Sequence, residues 1–166
     1  MKIELRPLRP RETKAVYDLF QSLPREENGF ENYAFGLSEA EFAEWVKEQI
    51  DSSKGIGLKE GYVPQTSFIL FVDGVPVGRS KLRHRLTPAL EKNGGHIGYG
   101  IAPEFRGKGY ANIILTETLK RAKAMGMDKV LLTINDDNAP SWKTAERNGG
   151  VLAKTEEGTR FYWITP

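Results

Sequence analysis

The segment GYGIAPEFRGKGYANIILTETL, residues 98–119, places Arg106, Gly107, Lys108, Gly109, Tyr110 and Ala111 where an apolar strand stops and a long amphipathic helix begins. At such a junction the first backbone N–H groups of the helix have no partner inside it and point outward beside the positive end of the helix dipole. Two glycines remove side chains that would keep an anion from those amides, and Arg106 and Lys108 add charge at the rim. The chemistry implied is capture of a phosphate group, most naturally a pyrophosphate. A glycine-rich turn also serves simple chain reversal, but a strand before it and an amphipathic helix after it are the setting of an anion site. A Walker A loop would need Ser or Thr after Lys108, where Gly109 stands. A dinucleotide fingerprint starting at Gly107 would need Gly or Ala at Asn112 and an acidic residue about 20 positions on, at the end of a second strand. Neither pattern fits.

The elements that must position this segment follow from periodicity. KIELRPL alternates as a first strand, and Arg11 to Leu23 carries Ala15, Val16, Leu19, Phe20 and Leu23 at helical spacing. Ser38 and Glu41 form a capping box ahead of a second helix, SEAEFAEWVKEQI. Asp73-Gly74 between two β-rich runs predicts a hairpin, and HIGYGIA a further strand. The helix after RGKG presents Ala111, Ile114, Leu115, Thr118, Leu119, Ala122 and Met125 on one stripe, with Gly126 as its stop. KVLLTI reads as a buried strand, NAPSWKTAERN as a short helix ended by Gly149, and VLAKT with RFYWIT as a closing hairpin around Glu157-Gly158. The order is βααβββαβαββ, with no repeat or linker, which predicts one domain over residues 1–166.

Composition narrows the classes. With no cysteine, disulfides, thiolate metal sites and cysteine nucleophiles are excluded. His84 and His96 are the only histidines and lack metal-binding spacing, so no metal is expected. Lys+Arg of 24 against Asp+Glu of 22 argues against a nucleic-acid partner. No apolar run approaches a membrane span, and MKIELRPLRP reads as a strand start rather than a signal peptide, so a cytoplasmic, membrane-free protein is expected.

The R-x-x-G-x-A spacing from Arg106 to Ala111 resembles the signature of the GNAT superfamily of acyl-CoA-dependent N-acyltransferases. The resemblance covers nearly the whole chain: IGYGIAPEFRGKGYA is similar to that family's strand, loop and pyrophosphate segment, and NDDNAPSWKTAERNGGVL to its later Asn-to-Gly segment. The stretch LRHRLTPALEKNGGHIGYGIAPEFRGKGYA resembles one branch of bacterial predicted acetyltransferases. The resemblance implies an α+β, three-layer fold whose mixed, mostly antiparallel sheet is flanked by helices, and acetyl-CoA as acyl donor. It further implies a splayed strand on which Ile101 and Ala102 pair with the pantetheine arm, and backbone amides of Arg106 to Ala111, Tyr110 included, that hold the pyrophosphate. Asn138 matches a pantetheine contact, although Asn there also suits a helix cap, and Ser141 falls near the thioester. The acceptor would be a small-molecule or peptide amine attacking the thioester directly.

That chemistry needs a base, a donor for the developing oxyanion and an acid for the thiolate. The resemblance places His96 where many relatives carry Glu as the base. Period-two alternation puts His96, Gly98 and Gly100 on one strand face, a bare track for ligand atoms, although a lone strand histidine also suits a structural role. A backbone N–H near Ile101 would be the oxyanion donor. The family's common Tyr, seven residues after Asn138, is Ala145 here, leaving Tyr99, Tyr110 or solvent as the acid. That gap keeps open a non-catalytic acyl-CoA-binding or sensor module of the same fold.

Arg79, Lys81, Arg83 and Arg85 recur every second residue and predict a solvated, cationic strand face, with a steering role for an acidic substrate or nucleic acid as the lesser alternative. Residues 28–35 and 55–66, with Phe30, Tyr33, Phe35 and Tyr62, are expected to line the acceptor pocket. Asp136 and Asp137 are candidates to attract an ammonium group. The aromatic last strand offers a surface for a homodimer.

Overall fold

A computed structural model describes all 166 residues. Strands β1 (Ile3–Pro7), β4 (Gln65–Val72), β5 (Val75–Arg83) and β6 (Ile97–Ile101) form one antiparallel sheet in the order β1-β4-β5-β6. A second antiparallel sheet has the order β7-β9-β8, built from β7 (Val130–Asn135), β8 (Val151–Glu156) and β9 (Thr159–Ile164). The turns Asp73-Gly74 and Glu157-Gly158 have positive φ at both residues, as tight hairpins of right-handed twist require.

Helix α1 (Lys14–Ser22) starts three residues later than periodicity predicts, because Arg11 lies at φ 59 and the Thr13 side chain accepts from the Val16 amide as the cap. Helix α2 (Glu39–Ser53) starts on the complete capping box of Ser38 and Glu41. Helices α4 (Tyr110–Ala124) and α5 (Ala139–Arg147) stand where their stripes and stops place them. Two features were not foreseen, the small hairpin of β2 (Glu26–Glu27) with β3 (Phe30–Glu31) and the one-turn helix α3 (Pro88–Lys92). Two-residue strands carry no readable alternation, whereas Thr87 before Pro88 is a legible cap followed by an N1 proline.

The helices cover both faces of the first sheet. On one face the α4 stripe of Ile114, Leu115, Leu119 and Ala122 packs with Leu70, Leu82, Ile97, Ile101 and the second sheet's Leu132 and Tyr162. Each fully buried large apolar side chain there contributes roughly 1.5–3 kcal/mol of transfer free energy. On the other face Val16, Leu19 and Phe20 of α1 and Phe42 and Val46 of α2 pack over Ile69 and Ala102. Phe20, Phe42 and Trp45 form an aromatic cluster, with Trp45 edge-on to Phe20 and stacked on Phe42.

Strands β6 and β7 are joined through α4 but belong to different sheets. They meet at one end. The His96 amide donates to the Leu131 carbonyl at 2.8 Å, and the Leu131 amide donates to His96 Nδ1 at 2.8 Å. Just before this clasp the Gly94 amide donates to Thr133 Oγ1, and Gly95, at φ 59, lies so close that a Cβ would stand 2.4 Å from the Leu131 carbonyl oxygen. Burial, then the nearby Arg83 charge, hold the His96 pKa down at about 4, so the ring is neutral and Nδ1 keeps the lone pair the clasp uses.

This clasp makes stability pH-dependent in a defined direction. An unfolded histidine takes up its proton near pH 6.5 and the folded one near pH 4, so protonation favours the unfolded chain as pH falls through that window. His96→Phe, which orphans the Leu131 amide, is expected to cost about 1–3 kcal/mol at pH 7 by urea denaturation. His96→Gln, which keeps an acceptor but no titration, is expected to lose less stability than the wild type between pH 7 and 4.5; equal losses would count against the clasp.

Candidate functional site

Beyond the clasp the strands diverge around a cleft of about 1100 Å³. The register decides which β6 groups face it. The His96 carbonyl accepts from the Arg83 amide and the Ala102 amide donates to the Val77 carbonyl, so even-numbered residues of β6 point their backbone groups at β5. Ile97, Tyr99 and Ile101 therefore direct theirs into the gap, where no strand pairs with them. The Ile101 carbonyl is taken by Arg106 Nε at 3.0 Å, leaving its amide free. Ala102 lies off the cleft, with its amide used and its side chain in the core.

At its other end the cleft runs into the amides that open α4. None of the N–H groups from Gly107 to Asn112 donates to another protein group; the first helical bond nearby is from Ile113 to the Gly109 carbonyl. Gly107 and Gly109 stand at φ 78 and 83, and a Cβ on either would meet open space. The left-handed turns and the absent side chains leave a set of converging donors with clear access. The set differs by one residue at each end from the one expected: the Arg106 amide donates to the Pro103 carbonyl, and Asn112 completes the series. The Arg106 side chain ties β6 to the small hairpin, through the Ile101 carbonyl and a 2.8 Å ion pair with Glu27. Lys108 does not line the cleft but stands beside it, near the Phe105 ring.

Asn138 and Ser141 of the α5 start line the opposite wall. Asn138 occupies the cap position yet makes no side-chain cap bond, so its amide group is available to a ligand. Ser141 Oγ is 3.2 Å from Tyr99 Oη. Burial raises the Tyr99 phenol above its ordinary range, so it keeps its proton. Ala145, in place of an aromatic acid, is fully buried in the core. His96 does not line the cleft; its Nδ1 lone pair is engaged by Leu131, and the neutral ring then carries its proton on Nε2.

The strand face carrying Gly98 and Gly100 departs from expectation. It is packed under Phe30, whose ring lies 3.0 Å from where a Gly98 Cβ would stand. Arg79 is 5% exposed, stacks 4.0 Å over Phe30 and donates to the Glu31 carbonyl. Arg83 donates to the Gly94 and Gly95 carbonyls, and Lys81 is partly buried between them. Only Arg85 is exposed, so the solvated face predicted from alternation is not present. The alternation was legible; what covers it was not, because the cover is the unforeseen hairpin. Asp136 is ion-paired with Arg160 at 2.6 Å rather than free for an ammonium group.

A family model described as an acetyltransferase (GNAT) domain matches residues 2–151. A 55-residue stretch is 40% identical to the mycothiol acetyltransferase of Corynebacterium aurimucosum; the match spans 33% of this chain and 18% of that protein. Among solved structures, a GNAT-family acetyltransferase from Streptococcus pneumoniae superposes over 99% of this chain and 100% of its own, with TM-score 0.65 at 15% identity. The Salmonella typhimurium acetyltransferase that modifies the N-terminal serine of ribosomal protein L7/L12 does so over 99% and 95%, with TM-score 0.66 at 18% identity. Campylobacter jejuni N-acetyltransferase PseH, solved with acetyl coenzyme A, does so over 99% of both chains, with TM-score 0.64 at 12% identity. At these identities the structures establish the shared fold.

The free amides make a direct prediction. Titration with inorganic pyrophosphate is expected to shift the backbone amide resonances of Gly107 to Asn112 well beyond those of the Asp73-Gly74 turn. Uniformly small shifts would show that the turn only reverses the chain.

Proposed function

The chain belongs to the GNAT acetyltransferase family, and we propose that it transfers an acetyl group from acetyl-CoA to an amine by direct attack on the thioester. One observation carries this reading: an unpaired strand edge on β6 that leads straight into the unpaired amides of Gly107 to Asn112. A pantetheine arm matches the first, because it can complete β6 as an added strand would. A pyrophosphate matches the second.

Acetyl-CoA supplies the activated acyl group. The amides of Tyr99 and Ile101 are the donors facing the gap, placed to hold the carbonyl oxygen as negative charge develops on it. Asn138 holds the arm from the α5 side. Tyr99 Oη, kept protonated by burial and set against Ser141, is the proton source for the sulphur that the Ala145 position lacks. Arg106 organises rather than binds, by fixing the end of β6. His96 serves the cleft as its clasp and not as a base, since its lone pair is already used, so the proton lost by the attacking nitrogen passes to water in the cleft while the departing thiolate takes one from Tyr99 Oη. The amine enters from the side of the β2–β3 hairpin, and residues 1–166 act as one unit.

The engaged His96 and the aliphatic Ala145 also favour a second reading, a binding module without turnover. Calorimetry and assay separate the two. Acetyl-CoA and desulfo-CoA are expected to bind at micromolar concentration and NAD not at all, with binding lost in Gly109→Trp while its thermal unfolding stays cooperative. Thiol release with a panel of primary amines is expected in the wild type, and Tyr99→Phe is expected to lower kcat roughly tenfold or more with acetyl-CoA affinity unchanged. Binding without thiol release from any amine would favour the module; no CoA binding by folded protein would defeat both readings.

A further inference from the structure

Lys81, whose Nζ stands 5.6 Å from the centre of the Phe30 ring, is a basic group with no polar partner and no part in the reaction so far. It lies directly opposite Gly98 on β6 and Ser67 on β4, so all three point to the face covered by Phe30. Its neighbours two residues away are spoken for: Arg79 by the Glu31 carbonyl and the Phe30 ring, Arg83 by the Gly94 and Gly95 carbonyls. All of those partners are neutral, and no carboxylate lies within 4 Å of any of the three cations.

Lys81 Nζ makes no hydrogen bond and no ion pair, and neither does the hydroxyl of Ser67, a residue only 8% exposed. No buried polar atom of the chain is sealed without a partner, so both atoms open on space that a ligand atom can reach. Burial, then Arg83 and Arg79 on its own strand, lower the Lys81 pKa to about 7, opposed by Glu31 from β3. Beyond these, the Tyr62 phenol is the titratable group that acts on Arg83. Three cations in one covered row, facing a single more distant carboxylate, repel one another at a cost that an incoming anion relieves.

We propose that Lys81, backed by Arg79 and Arg83 and helped by Ser67 Oγ, receives a carboxylate on the acceptor, so that the acceptor is an amine that also carries an acid group. This rests on the proposed acetyl transfer for the direction of entry, because Gly98, directly opposite Lys81, lines the cleft beside Phe30. The acid anchors one end of the acceptor at Lys81 while the amine reaches the cleft beside the Phe30 ring. A phosphate-rich polymer fits less well, since the row is roofed by Phe30 and the chain carries a net charge of only +2.

The test follows Lys81 itself. The Lys81 side-chain nitrogen resonance, identified by its loss in Lys81→Arg, is titrated with pH in the CoA-saturated protein, alone and with glutarate or its neutral analogue glutaramide. Glutarate is expected to move the midpoint up by about one pH unit, a tenfold preference for the ammonium form, with no movement from glutaramide. The calorimetric signal of glutarate is expected to vanish in Lys81→Met and to persist in Lys123→Met. The acidic peptide Ala-Glu-Ala, run beside glutarate, separates a peptide side chain from a free acid as the source of the carboxylate. Equal responses to glutarate, glutaramide and the peptide, or glutarate binding retained in Lys81→Met, would overturn the proposal. Failure of CoA to bind would count against the acetyl transfer instead, and the Lys81 titration is then decided on the free protein.

Discussion

The cleft depends on β6 being tied to β7 at one end and nowhere else. Two hydrogen bonds between His96 and Leu131 hold that end. Each is worth only about 1 kcal/mol net, yet together they set where the strands stop pairing. From that point onward the backbone groups of Tyr99 and Ile101 have no strand partner, a condition that most sheets avoid by covering their edges. Here the edge lines the cleft. The side chain that makes the clasp possible must stay neutral, and the low-dielectric site beside Arg83 keeps it so.

The two faces of β6 serve different ends. Odd-numbered residues pack their side chains against α4, and that apolar core holds the strand rigid while its backbone stays free. The even-numbered positions Gly98 and Gly100 have no side chains at all, so the opposite face is bare and Phe30 rests on it. Arg106 connects the ends of this arrangement. It joins the β6 carbonyl at Ile101 to Glu27 of the hairpin, so one side chain bridges the strand, the hairpin and the start of the glycine turn.

Electrostatics divide along the same line. At the α4 end the positive potential comes from oriented backbone dipoles, which need no burial of charge. On the roofed face it comes from side-chain cations held apart from any carboxylate, where the lower dielectric makes each charge count for more.

Much was legible in the sequence. Periodicity, caps and turn glycines located the principal helices and hairpins, and the RGKG turn before an amphipathic helix marked the run of unpaired amides, because these signals depend on residues close together in the chain. Contacts distant in sequence were not legible. The fate of His96 turned on Leu131, thirty-five residues on, and so the strand histidine that resembled a base is a clasp. The burial of Arg79 and Lys81 turned on a hairpin of two-residue strands too short to show a period. The pairing of Tyr99 with Ser141 turned on how α5 docks across the cleft. Local sequence determined the elements and the glycine turn ahead of α4; only the tertiary structure decided which polar groups were consumed by neighbours and which were left free, because hydrogen-bond satisfaction depends on what is brought within three ångströms, not on spacing along the chain.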